Sequence, residues 1–157
     1  MIQLLRTDGG NKDFIQLVKQ LDADLAERDG NDHSFYEPFN TIDTINYVII
    51  AYEKGRASGC GALKKYDTNT AEIKRMFTTP ESRGNGIATR ILIGLEQWAF
   101  ELAYDRCVLE TGKRQPEAIA LYQKNGYIQI PNYGQYAAIE NSVCFQKKLH
   151  QTAKRPV

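Results

Sequence analysis

The chain has 157 residues, 42% apolar and 25% charged, with a formal net charge of +1. That suits one domain with one core, and the balanced charge gives no reason to expect nucleic acid or an anionic membrane as partner. No apolar run approaches the roughly 20 residues of a membrane helix. Residues 1–8 are too short and too mixed in charge for a signal peptide, so a cytoplasmic location is expected. The three cysteines, Cys60, Cys107 and Cys144, are widely spaced and set in apolar runs. They read as small buried hydrophobes, not as disulfides or metal ligands, and no metal is expected.

Ile2 to Arg6 is a predicted strand, and Asp8-Gly9-Gly10-Asn11 a turn. From Lys12, apolar Phe14, Ile15, Leu17, Val18, Leu21 and Leu25 keep a helical period that fades near Asp29-Gly30. Asn31 to Asn40 is polar and aromatic, a short helix or a loop. Tyr47 to Tyr52 is a run of strand formers. Glu53-Lys54-Gly55-Arg56 makes a hairpin turn, and Ala57 to Tyr66 returns as a strand weakened by Gly59 and Gly61. Asp67-Thr68-Asn69 then turns the chain into a third strand, Ala71 to Thr78.

Gly86 to Tyr104 is the strongest helix, with Ile87, Ile91, Leu92, Leu95, Trp98, Ala99 and Leu102 on one face. Arg106 to Glu110 is a short strand. Pro116 to Asn125 is a helix opened by Pro and Glu and stopped by Gly126. Tyr127 to Ile130 and Ser142 to Leu149 are the last strands. The order predicts a single α/β domain over residues 1–150 with a mixed sheet: an antiparallel meander and a central β-α-β unit whose strands are parallel neighbours. Residues 151–157 read as a disordered tail.

The segment Arg83-Gly84-Asn85-Gly86-Ile87-Ala88 joins the third strand to the strongest helix. Glycines let a backbone approach a ligand closely. A helix start offers unpaired N–H groups and partial positive charge, which suit a phosphate. Arg83 adds a cation with a planar fork of donors. The segment therefore reads as a diphosphate cradle. It lacks the Lys-Ser/Thr ending of a nucleotide-triphosphate loop. The dinucleotide pattern Gly-x-Gly-x-x-Gly is also absent, as is its position after a first strand.

These residues resemble the Gcn5-related N-acetyltransferase (GNAT) family, whose signature is Arg or Gln, two residues, Gly, one residue, then Gly or Ala. The flanks agree: Glu72-Ile73-Lys74-Arg75-Met76-Phe77 precedes the signature, with Pro80 and Glu81 on the approach. Downstream, residues 118–127, Ala-Ile-Ala-Leu-Tyr-Gln-Lys-Asn-Gly-Tyr, resemble the family's second helix running into its next strand. The likeness is good over residues 45 to 130; elsewhere it rests on element order.

The resemblance implies the family's acyl-CoA N-acyltransferase fold. It implies acetyl-CoA as co-substrate and direct acetyl transfer to an amine of a small molecule or peptide. The diphosphate would rest on the amides of Arg83, Gly84, Asn85, Gly86, Ile87 and Ala88, with Thr89 adding a hydroxyl. The pantetheine arm would lie beside Met76, Phe77 and Thr78, where the strand splays from its parallel neighbour. Tyr122 falls where family members carry a tyrosine that protonates or hydrogen-bonds the coenzyme sulfur. Its ring also suits plain packing. Gln115 replaces an Asn often found seven residues earlier, which puts its contact with the pantetheine in doubt. Lys124, Lys113 and Arg114 are candidates for the 3′-phosphate.

Attack on a thioester needs a neutral amine, so a base must take its proton. Glu72 and Glu110 are rival bases, and either could instead be paired with Lys74, Arg75 or Arg114. A water chain ending on backbone carbonyls is a third route. Family acceptors enter between the first helices and the late strand loop. Here those segments carry Phe35, Tyr36, Tyr133 and Tyr136, with Asp32, Glu37 and Glu140, a set that suits a cation or small amine and equally suits loop packing. The rival to an enzyme is a non-catalytic sensor of acetyl-CoA, which needs the cradle but not Tyr122. A homodimer is left open.

Overall fold

The computed structural model describes residues 1–29 and 45–149. Its strands are β1 (Ile2–Thr7), β2 (Tyr47–Glu53), β3 (Arg56–Lys65), β4 (Thr70–Thr78), β5 (Arg106–Gly112), β6 (Ile128–Ile130) and β7 (Ser142–Lys148). They form one sheet in the order β1-β2-β3-β4-β5-β7-β6. Its helices are α1 (Lys12–Asp29), α2 (Ile87–Glu101) and α3 (Pro116–Lys124). Only β4 and β5 pair in parallel, as the β-α-β pattern requires; the other pairs are antiparallel. The sequence left the order of the last strands open, and β7 lies between β5 and β6.

The sheet is buried on both faces. On one, Ile87, Ile91, Leu92, Leu95 and Ala99 of α2 pack with Ile49, Ala51, Leu63, Ala71 and Ile73, and Tyr122 of α3 joins them. On the other, Phe14, Leu17, Val18 and Leu21 of α1 pack with Val48, Ile50, Cys60, Ala62 and Phe77. The three cysteines are free and buried. Burial pushes the Cys60 and Cys107 thiols up to about 12 and Cys144 to about 11.

Gly59 and Gly61 do not weaken β3; they let α2 and Met76 approach it. A Cβ on Gly61 would lie 2.6 Å from Met76 Sδ and 2.8 Å from Leu95 Cδ1. Helix α2 ends earlier than the predicted Tyr104, where Ala103 turns the chain at a φ of 69°. The aromatic stretch from Asn31 to Asn40 and the predicted tail lie outside the described residues. No described helix is long and apolar enough to cross a membrane.

Two irregularities of β4 shape the site. Its parallel ladder with β5 runs only from Thr70↔Arg106 to Glu72↔Val108, although both strands continue. The strands therefore part and open a V. On the other side, Ala62 pairs with Lys74 and Cys60 with Phe77, so Arg75 and Met76 together oppose Gly61. This is a β-bulge, and Arg75 sits in it at a φ of 60°.

Candidate active site

A groove of about 400 Å³ runs over the mouth of the V. Its walls include Met76, Phe77 and Thr78 of β4, residues 82–84 and 86–89, and Gln115, Tyr122 and Lys124. The turn into α2 passes Gly84 at a φ of 86° and Gly86 at 78°, a left-handed path natural to glycine. A Cβ at either position would meet nothing within 4 Å, so this bend faces open space. No side chain caps α2, and its first backbone bond runs from Arg90 N–H to the Gly86 carbonyl at 3.1 Å. The amides ahead of Arg90 therefore point their donors and the helix's positive end into the groove.

Arg83 stands on the wall with its fork folded back. Its Nε donates to the Thr78 carbonyl at 3.0 Å, and the guanidinium lies 5.8 Å from the centre of the Phe77 ring. A weak ion pair, at 4.0 Å, reaches Asp24. The fixed charge thus lies beside the uncapped main chain of the bend. Asn85 is exposed and is not part of the wall, nor are Lys113 and Arg114. Lys124, from the last turn of α3, is. Leu21 and Asp24 of α1 also line the groove, and no motif in the sequence marked them.

Deeper in the V lies a smaller cleft of about 110 Å³, lined by Glu72, Lys74, Arg75, Glu110, Gln115, Tyr122 and Tyr136 among others. Both predicted bases thus reach one cavity. Glu72, 7% exposed, accepts a 2.6 Å hydrogen bond from the Tyr133 hydroxyl and lies 3.9 Å from Lys74 Nζ. Glu110 accepts one of 2.6 Å from Ser142. Tyr133 is wedged edge-on between Tyr66 and Tyr136, with ring centres 5.1 and 5.6 Å away. It stands behind Glu72 and is not part of the cleft wall, whereas Tyr136 is. Phe35 and Tyr36, predicted to meet the acceptor, lie outside the described residues.

Tyr122 lines both cavities. It is 5% exposed, and its ring packs 5.7 Å from Tyr127 and 6.2 Å from Phe145. Burial, and secondarily the negative charge of Glu110, raise its pKa well above the phenol range, so the hydroxyl keeps its proton. The inner cleft thus gathers a neutral phenol, two carboxylates and two cations.

The profile of the acetyltransferase (GNAT) family matches residues 15–127, most of the chain. The chain belongs to the GNAT family. An IAA acetyltransferase of Azospirillum brasilense is 31% identical over 138 residues, covering 86% of this chain and 90% of the relative. A putative acyl-CoA N-acyltransferase from Klebsiella pneumoniae superposes with a TM-score of 0.80 at 30% identity, over 96% of this chain and 99% of that one. A GNAT acetyltransferase from Elizabethkingia anophelis with acetyl-CoA bound shares the fold at a TM-score of 0.71 and 19% identity, over 94% and 98% of the two chains. This GNAT chain is accordingly an acetyl-CoA-dependent acetyltransferase.

Its residues fit the coenzyme on their own chemistry. The uncapped amides suit a diphosphate. The Thr78 hydroxyl on the groove wall is buried with no partner among the described residues. A buried polar atom of that kind is costly unless something pairs with it. Where β4 has left β5, its edge is open to an amide-bearing arm, which can pair like an added strand.

Proposed function

We propose that the protein moves an acetyl group from acetyl-CoA directly to the amine of a small molecule or peptide, with Tyr122 at the sulfur. The observation that carries this reading is the placement of Tyr122. It is the neutral phenol where the anion-binding groove meets the carboxylate-lined cleft.

The diphosphate sits on the amides of Gly84, Gly86, Ile87 and Ala88, with Thr89 beside them, since the Arg83 N–H already donates to the Pro80 carbonyl, and Lys124 lies toward the 3′-phosphate. Met76, Phe77 and Thr78 guide the arm, and Gln115 reaches it from the start of α3. The thioester then points into the V.

The acceptor enters the inner cleft as an ammonium and passes its proton to Glu72 or Glu110. Its nitrogen attacks the thioester carbonyl; a C–N bond forms, the C–S bond breaks, and the second proton that the nitrogen sheds ends on the departing sulfur as the free thiol. The departing thiolate is a weaker base than a buried tyrosinate, a thiol's ordinary pKa being about 8.5. Tyr122 therefore acts chiefly by donating a hydrogen bond to the sulfur as charge develops. The sensor reading needs the cradle but gives no work to this phenol or to two carboxylates in the adjoining cleft. Free-thiol release with a panel of amines, beside calorimetry with coenzyme A, tests the proposal. Saturable coenzyme binding with amine-dependent thiol release is expected; binding without turnover of any amine would make the protein a sensor.

A further inference from the structure

We infer that the acceptor is an amine that also bears a carboxylate, a zwitterion of amino-acid type, with Arg75 anchoring its carboxylate and Glu72 and Glu110 receiving its nitrogen. This rests on the groove being the donor site, as proposed above.

The inference begins with the bulge. Strand alternation puts Glu72 and Lys74 on one face of β4, and a regular strand would send Arg75 to the other, among the apolar residues under α2. The left-handed residue at position 75 turns it back. Its guanidinium instead meets Asp22 of α1 at 3.0 Å. Strained backbone of this kind persists where the surroundings hold it, and it gathers at functional sites.

Arg75 is 6% exposed, and its Nε is buried without an acceptor among the described residues. Asp22 is much more open to solvent, its side chain 46% exposed. A planar fork with five donors is therefore only partly answered, and a second carboxylate would complete it. Lys74, the neighbouring cation, approaches the Tyr136 hydroxyl at 3.4 Å. Both cations line the inner cleft and neither lines the groove, so the coenzyme's phosphates are not what they meet.

A cleft with two cations and two carboxylates matches a molecule carrying both charges. A plain amine would answer the carboxylates and leave the buried Arg75 Nε without an acceptor. The cavity, at about 110 Å³, favours a compact molecule. The acceptor's carboxylate takes no part in the chemistry; it fixes the nitrogen against the thioester.

The test compares compact free amino acids with their amides and decarboxylated amines, at saturating acetyl-CoA, in the wild type and in Arg75→Gln and Lys74→Gln. Calorimetry with coenzyme A accompanies each protein. The expected result is a kcat/KM for amino acids at least about 10-fold above that of the analogues without a carboxylate, the lower end for hydrogen bonds to a charged group. Arg75→Gln should bring that ratio close to one, raising the KM for the amino acid far more than that for the analogues, with coenzyme A still bound. Lys74→Gln should reduce it in the same direction, and stands in if Arg75→Gln does not fold. Analogues used as well as amino acids, no amino acid turned over by a coenzyme-binding protein, or equal losses for both classes in the variants would overturn the inference alone. The last outcome would make Arg75 only a clamp for α1. Absence of coenzyme binding would remove the donor-site reading as well.

Discussion

The proposed coenzyme groove and the inner cleft share Leu21, Met76, Gln115, Ala118 and Tyr122 but are built from different materials. The groove's proposed anion seat is backbone: a left-handed turn at Gly84 and Gly86 and the uncapped start of α2. The cleft's chemistry is side chains, delivered by β4, β5, α3 and the loop before β7, and steered by one bulge. A backbone seat accepts many sequences around it as long as the turn survives. A side-chain site changes its ligand whenever one residue changes. One fold can therefore keep its donor and vary its acceptor.

The sharpest way to break this division is at Tyr122, the titratable residue that the two regions share. Tyr122→Phe keeps the ring packed on Tyr127 and Phe145 and deletes the proton. A fall in kcat of at least about 100-fold is expected, with little change in coenzyme affinity. Steady-state kinetics beside calorimetry decide it: an unchanged kcat removes Tyr122 from the chemistry.

Next come changes confined to one region. Gly86→Val forces a β-branched residue into a φ of 78°. Strain of about 1–3 kcal/mol should weaken coenzyme binding roughly tenfold or more and leave the acceptor KM nearly constant. Tyr133→Phe is the mirror experiment. It removes the 2.6 Å hydrogen bond to Glu72, so turnover should fall about tenfold while coenzyme affinity holds. If either variant changed both affinities equally, the two regions would not be separable.

The same contrast explains what was legible in the sequence. The cradle was visible because Arg83-Gly84-Asn85-Gly86 is contiguous and its glycines have a backbone reason. The helices α1, α2 and α3 were visible through their apolar periods and the Gly126 stop. The cleft was only partly visible. Glu72, Glu110 and Tyr136 could be named, but Tyr133 serves Glu72 from behind, and its hydrogen bond spans 61 positions. Arg75 could be named only as an ion-pair partner for Glu72 or Glu110, whereas it meets Asp22 of α1, because nothing local announces a bulge. Gly59 and Gly61 looked like weak points of β3, because the helix that uses their empty space comes later in the chain. Sequence reading thus recovers what neighbours in the chain build together, and misses what the sheet assembles.

The smallest effect expected touches both regions alike. Cys60 and Cys107 are buried in the two core clusters, with thiols raised from 9.0 to about 12 by burial. A pKa raised by folding gives stability that is complete below the unfolded value. It drains as pH rises from about 9 toward 12. Urea midpoints should therefore hold through neutral pH and decline above about 9, with coenzyme binding and turnover lost together. Turnover lost before the urea midpoint moves would place the alkaline limit in the cleft instead.

The most direct test of the backbone seat is an amide NMR titration with coenzyme A. If the account holds, the signals of Gly84, Gly86, Ile87 and Ala88 shift furthest and saturate at one equivalent. Those signals standing still, while others move or none do, would contradict it.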